Sequence, residues 1–283
     1  MASIPFTKMQ GAGNDFIVVN NMELGLPVEK FPAIAQRVCT HRLSLGGDAL
    51  MVADAPEHGG HLRMRFYNAD GSEGEMCGNG ARCLARYAFE KGLAGEEVHM
   101  ETLAGDVYGW RLSKREYRIR LNRPEVMELD FPVEVDGMGY DCSYVELGDP
   151  GLPHAVIHLP GLAEKSLAQL RPLGAALRSH PAFPKGANVD FWDLSADGII
   201  CLRTFERGVE DFTLACGTGS GSTAAALTQR GIVPAGERVR LVMPGGELRV
   251  DVEQADGHVT ALYLMGETNM VAEGTITDED LEI

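Results

Sequence analysis

The stretch MCGNGARC, residues 76–83, decides how this chain is read. A cysteine stands against a Gly-Asn-Gly turn, and a helix-like run, ARCLARYAFEKG, follows at once. The phrase returns as ACGTGSGS at 215–222, followed by TAAALTQRG. Aligning Cys77 with Cys216, an offset of 139, places Gly78 on Gly217 and Gly80 on Gly219. Downstream, Lys91-Gly92-Leu93 falls on Arg230-Gly231-Ile232, and the strand-like VHMETLAG falls near VRLVMPGG. Upstream, Arg65-Phe66-Tyr67-Asn68 falls on Thr204-Phe205-Glu206-Arg207, and GAGNDF at 11–16 echoes GANVDF at 186–191. A repeat of about half the chain is too long for a solenoid. It predicts two similar α+β domains related by a pseudo-two-fold, each reading strand, asparagine turn, strands, Cys-Gly helix, strands.

Short β-branched runs broken by Gly, Pro and Asp read as strands: FIVVN, LRMRF, EYRIRL, HAVIHL, IICLRTF, ERVRLVM, ELRVDV and TALYLM. Two helices per half are expected, and Leu84, Tyr87, Ala88 and Leu93 make the one after the first cysteine a largely buried element. The Asn122-Arg123-Pro124 turn sets the expected boundary. The domains are then 1–122 and 123–269, with a last strand at about 270–283 returning to the first domain. The terminal DEDLEI reads as a solvated tail or a last turn.

The 283 residues are 45% hydrophobic and 23% charged, which fits a globular chain rather than a disordered one. No run approaches the roughly 18 apolar residues of a membrane helix, and MASIPFTKMQG lacks the pattern of a signal peptide. A net charge of −16 argues against binding a phosphate backbone. The expected location is the cytoplasm, with reduced thiols. None of the six cysteines forms C-x-x-C, and no histidine pair has zinc-ligand spacing. Cys39, Cys83, Cys142 and Cys201 read as small core residues. HGGH at 58–61 reads as an exposed glycine turn and a weak metal signal. No metal site and no cofactor are expected.

A helix N-terminus offers unpaired N–H groups and about half a positive charge. A thiol there ionises more easily, and the same N–H groups hold a carboxylate. Two such sites serve one inversion. A thiolate removes the α-proton of a bound amino acid while a thiol delivers a proton to the other face, and the dipoles stabilise the charge that develops. The plainer alternative is that one Cys-Gly helix start is packing, copied by duplication.

KMQGAGNDFIVV, FYNADGSEGEMCGNGARC, ANVDFW, TFERGVEDFTLACGTGSGS and MPGGEL together resemble the diaminopimelate epimerase family, in its order and across nearly the whole chain. The resemblance implies two domains, each a mixed β-sheet or barrel wrapped round a central helix, with substrate in the cleft between. It implies a cofactor-independent two-base epimerase, a homodimer, converting LL- to meso-diaminopimelate on the route to lysine and peptidoglycan. Cys77 and Cys216 match its acid–base pair, with His154 and Glu206 beside the chemistry. Gly78, Asn79, Gly217 and Thr218 match the groups holding the reacting carboxylate. Asn14, Asn68, Asn188, Glu206 and Arg207 match substrate contacts. By themselves Asn14 and Asn188 read as well as turn caps, Glu206-Arg207 as a surface ion pair, and His154 as a core histidine. Arginine does suit a distal carboxylate.

Two departures stand out. The family usually reads G-D-Q where this chain has Gly47-Asp48-Ala49, and G-N-P-H where it has GDPGLPH at 148–154. Either Asp149 or Leu152 takes the place of that asparagine. Both changes touch substrate recognition rather than inversion. A related racemase for another amino acid, such as a basic one, is therefore a second reading, and a non-catalytic amino-acid binder a third.

Overall fold

A computed structural model describes residues 3–195 and 197–281. Glu282 and Ile283, the end of the expected tail, lie outside the described residues. The chain runs β1 (Ile4–Gly11), β2 (Asn14–Asn20), α1 (Asn21–Leu24), α2 (Phe31–Val38), β3 (Ala49–Asp54), β4 (Leu62–Asn68), β5 (Glu73–Gly74), α3 (Gly78–Glu90), β6 (Glu97–Thr102), β7 (Gly105–Arg111) and β8 (Glu116–Leu121). After β9 (Pro124–Glu128) and a ribbon of β10 (Val133–Val135) and β11 (Met138–Tyr140) come β12 (Cys142–Leu147), β13 (Leu152–His158), α4 (Leu167–Arg178), β14 (Asn188–Leu194) and β15 (Ile200–Glu206). Last are β16 (Asp211–Phe212), α5 (Gly217–Gln229), β17 (Val239–Met243), β18 (Gly246–Ala255), β19 (His258–Glu267) and β20 (Asn269–Ile276). The fold is α+β, with mixed sheet and few helices.

Two compact units form, Met1–Ile119 with Met265–Ile283, and Arg120–Leu264. In the first, β1 pairs antiparallel with both β2 and β20. Strand β3 joins β2 in parallel, β4 joins β3 antiparallel, and β6 joins β4 in parallel. The second unit repeats this. Strand β12 pairs antiparallel with β9 and β13, β14 joins β13 in parallel, β15 joins β14 antiparallel, and β17 joins β15 in parallel. Each parallel neighbour needs a crossover, supplied by α2 and α3 in one unit and α4 and α5 in the other.

The outer helices are amphipathic. Phe31, Ile34, Ala35 and Val38 of α2 fall on one face and pack with Ile17, Leu50 and Val52. In α4, Leu170, Gly174 and Leu177 form the buried stripe, and Ser166 and Gln169 make a reciprocal capping box. The inner helices are buried on every side. Helix α3 is buried continuously from Gly78 to Ala88 and packs on β1, β2, β3, β6 and β7. Helix α5 packs on β9, β12, β13, β14 and β18. Its sequence GTGSGSTAAAL is small because the sheet comes close: a Cβ on Gly221 would lie 2.6 Å from Leu121 Cδ1.

The pairing corrects three expectations. GAGNDF and GANVDF are not counterparts. Asn14 opens β2, whose equivalent in the second unit is β13, opened by Leu152; Asn188 opens β14, whose equivalent is β3, opened by Ala49. Both motifs put asparagine at a strand mouth after a glycine turn, so turn chemistry alone produced the echo. On β4 and β15 the offset is 138, so Asn68 corresponds to Glu206 and not to Arg207. Tyr67 pairs with Glu73 and Phe205 with Phe212, which makes the second hairpin one residue longer. Finally, Cys201 is only half-buried, whereas Cys39, Cys83 and Cys142 are core residues. Glu97–Thr102 and Val239–Met243 hold the two strand runs that follow the inner helices.

Candidate functional site

Each inner helix is capped by its cysteine. Cys77 (φ −124°, ψ 119°) caps α3 and Cys216 (φ −116°, ψ 117°) caps α5, in nearly the same conformation. The Cys77 sulfur accepts from Gly80 N at 3.5 Å, and the Cys216 sulfur from Gly219 N at 3.3 Å. The thiols thus stand at the positive ends of two buried helices, where serine or aspartate usually caps.

In the first unit a chain of amides runs from α3 to the strand mouths. The guanidinium of Arg82, wholly buried, donates to Asn79 Oδ1 at 2.9 Å and to Gly78 O at 3.4 Å. Asn79 Nδ2 donates to Asn14 Oδ1 at 2.6 Å, and Asn14 Nδ2 to Asp48 Oδ2 at 3.1 Å. Asp48 also takes the backbone N–H of Asp15, so the G-D-A loop is tied to the β2 mouth. Burial lowers the Arg82 pKa to about 10, with Cys83 and Cys77 opposing that shift. The neighbouring Cys83 thiol is pushed up to about 12 by burial and is inert packing. Asn68 ends β4, and its amide donates across the β4–β5 turn to Ser72 Oγ at 3.0 Å.

In the second unit the cysteine meets acids. Cys216 is buried, and its pKa is raised well above the ordinary thiol value by burial and then by the Glu206 and Asp190 charges. Thr218 Oγ1 at 3.4 Å and Gly219 N oppose this. Glu206 accepts from Thr213 Oγ1 at 2.6 Å and is hydrogen-bonded to Cys216. Burial raises its pKa, the bonds to Thr213 and Cys216 lower it, and Asp190 raises it again. His154 and Asp190 are fully buried together, Nδ1 to Oδ2 at 2.8 Å. Asn188 is a backbone staple: its Nδ2 donates to Pro153 O at 3.2 Å, and its Oδ1 accepts Arg207 N at 2.9 Å. Arg207 Nη1 donates to Lys185 O at 2.9 Å. Glu206 and Arg207 therefore serve different partners and are not a surface ion pair.

Of the residues singled out from sequence, Cys77, Gly78, Asn79 and Asn14 come together in the first unit. Cys216, Gly217, Thr218, Glu206, His154, Asn188 and Arg207 are gathered in the second. Sequence reading missed Arg82, Asp48, Asp190 and Thr213. Three of these, Arg82, Asp190 and Thr213, lie inside the motifs CGNGARC, ANVDFW and TFERGVEDFTLACGTGSGS. Ala49 is fully buried at the head of β3. Among the described residues, no group of three or more His, Cys, Asp or Glu side chains is placed to hold a metal ion. No described helix is long and apolar enough to cross a membrane. HGGH is an exposed bend whose N–H groups at His58 and Gly60 are taken by Glu101.

This twice-written α+β fold, with a central helix in each half, is shared by solved structures. A Bacillus anthracis phenazine biosynthesis protein is similar at TM-score 0.74 and 17% identity, covering 98% of this chain and 99% of its own. A hydroxyproline epimerase from Agrobacterium vitis matches at TM-score 0.68 and 17% identity, covering 99% and 94%. At such identities they show the fold. The family follows from sequence: the diaminopimelate epimerase model matches residues 6–110 and 148–271, and the chain belongs to that family. Among its relatives named diaminopimelate epimerase, that of Methanothrix thermoacetophila is 35% identical over 100% of this chain and 99% of its own. That of Archaeoglobus fulgidus is 34% identical over 91% and 92%, and that of Desulforudis audaxviator 37% over 95% and 98%.

Proposed function

We propose that the chain inverts one α-carbon of diaminopimelate, interconverting the LL and meso forms without a cofactor. The observation that carries this reading is the matched pair of N-capping cysteines in a member of the diaminopimelate epimerase family. Cys77 and Cys216 act as base and acid, one from each unit. One sulfur, as thiolate, takes the α-proton; the other, as thiol, returns a proton to the opposite face and is left as the thiolate. The N-terminal N–H groups at Gly78-Asn79 and Gly217-Thr218 bind the reacting carboxylate and stabilise charge moving onto it. Glu206, bonded to Cys216, exchanges protons with that thiol, and burial raises its pKa from the ordinary carboxylate value. His154 completes the acid–base set. Asn14, Asn68 and Asn188 position substrate, and Arg207 takes the distal carboxylate. The two units are the two domains, and the chain works as a cytoplasmic homodimer.

A related racemase for a monocarboxylic amino acid is the second reading. Ala49 and Leu152 favour it, since each puts an apolar side chain at a strand mouth where the other unit has an asparagine, Asn188 and Asn14. One experiment separates the two. The protein is incubated in deuterium oxide with LL-diaminopimelate, lysine, ornithine or histidine, and deuterium at the α-carbon is followed by mass spectrometry. Diaminopimelate is expected to exchange and epimerise, and Cys77→Ala or Cys216→Ala to abolish inversion. Preferential exchange of a monocarboxylic substrate would establish the second reading, and full activity in either variant would end the two-base scheme.

A further inference from the structure

We propose that Asp190 is a positioning residue for this reaction, holding the His154 imidazole with hydrogen on Nδ1 and leaving Nε2 as the basic nitrogen. The inference rests on the epimerase reading, in which His154 takes part in proton transfer. Strand β14 is buried from Asn188 to Trp192, so a carboxylate there is costly unless fully paired. Asp190 is fully paired. Its Oδ1 accepts from Thr204 Oγ1 at 2.8 Å, and its Oδ2 lies 2.8 Å from His154 Nδ1. A carboxylate only accepts, so the hydrogen between them belongs to Nδ1. In the neutral ring Nε2 is then a bare acceptor. It is buried and has no hydrogen-bond partner among the described residues. Folds rarely keep such an orphan without a use for it.

The repeat supplies an internal control. The register equates His154, Asp190 and Thr204 with Phe16, Met51 and Phe66 of the first unit. There the same corner is apolar, with Phe16 and Phe66 edge to face at 6.3 Å. Met51 Sδ sits 2.9 Å from a Cβ built on Gly80, and Asp190 Oδ1 sits 2.3 Å from one built on Gly219. The scaffold therefore forms without any polar group at this corner. The second unit alone carries an acid, an imidazole and a hydroxyl there, beneath the helix mouth that holds Cys216.

The test joins a measurement on the native protein to one isosteric variant. Nitrogen-15 spectra of histidine-labelled wild type are expected to show His154 protonated at Nδ1 and bare at Nε2. In Asp190→Asn, Thr204 still donates to the amide oxygen, which turns the NH2 toward Nδ1 and moves the ring hydrogen to Nε2. The kcat is then expected to fall roughly 10²-fold, the scale of one acid–base group, with KM changed little. An Nε2–H tautomer in wild type would overturn the proposal, as would an Asp190→Asn protein with native kcat. If wild type fails to exchange the α-proton of diaminopimelate, the epimerase reading falls instead, and the wild-type tautomer still decides what Asp190 does to the ring.

Discussion

Replacing Arg82 by methionine tests whether a buried charge is kept for the fold or for the site. Its guanidinium is wholly buried and its pKa is lowered from the ordinary arginine value to about 10, chiefly by desolvation. At 1.36 kcal/mol per unit that is about 3 kcal/mol against the charged form. Both values lie well above 7, so the cost is fully present at neutral pH. Stability recovers only as pH rises above about 10 toward the ordinary arginine value, where the unfolded chain holds the proton that the folded chain has released. Against this stand the bonds to Asn79 Oδ1 and Gly78 O; a hydrogen bond to a charged group contributes about 1.5–3 kcal/mol. Methionine fills an irregular channel of similar length. The terms nearly cancel, so Arg82→Met is expected within about 1–2 kcal/mol of wild type in urea unfolding. Activity is another matter. Asn79 loses the donor that orients it, and with it the bond to Asn14 and onward to Asp48. A displacement of about 1 Å at such a site can cost about 10²-fold in rate. The expected result is a stable protein with kcat reduced about 10²-fold. A variant that loses more than about 3 kcal/mol while keeping kcat would show that Arg82 is an anchor of the fold.

Arg207→Ala should cut turnover of diaminopimelate by about 10²-fold or more, the scale of a stripped charge pair, while barely affecting any residual exchange of lysine; equal loss on both substrates would refute its role at the distal carboxylate. At the chain end, Arg37 holds Asp278 through two bonds of 2.7 and 2.8 Å, and Asp278 is lowered to about 2, first by that bond and then by Ser44. A depressed carboxylate stabilises above its unfolded value and loses the effect as pH falls through the folded one. The protection factors of residues 278–281, corrected for intrinsic exchange, are therefore expected to fall between about pH 4 and pH 2, and to be low at pH 7 in Arg37→Ala. Unchanged protection in that variant would rule the clamp out.

The Cys-Gly helices were legible because three local signals agree there: a capping-competent side chain, glycines at the turn and a long helical run. The strand mouths were not. An asparagine after glycine satisfies local turn rules in either of two strands, and only the pairing register separates β2 from β14. Arg82 and Asp190 were hidden for a related reason. A charged residue in a helix or a half-alternating strand reads as a solvated face, and only tertiary partners reveal a buried one. Ala49 and Leu152 open strands β3 and β13, and each stands where the other unit has an asparagine, Asn188 and Asn14.

The pairing of β1 with β20 also sets an order of events. Ile4 lies beside Ile276, so the first unit needs residues made after the whole of the second. As the ribosome proceeds from the N-terminus, segment 120–264 has every strand of its own core before β20 appears. The first unit must meanwhile wait with the edge of β1 unpaired, a template for wrong strand partners. Closing a loop of that length is also slow. On a nascent chain, the half bearing Cys216 should mature first, and the half bearing Cys77 should be the one that depends on chaperones.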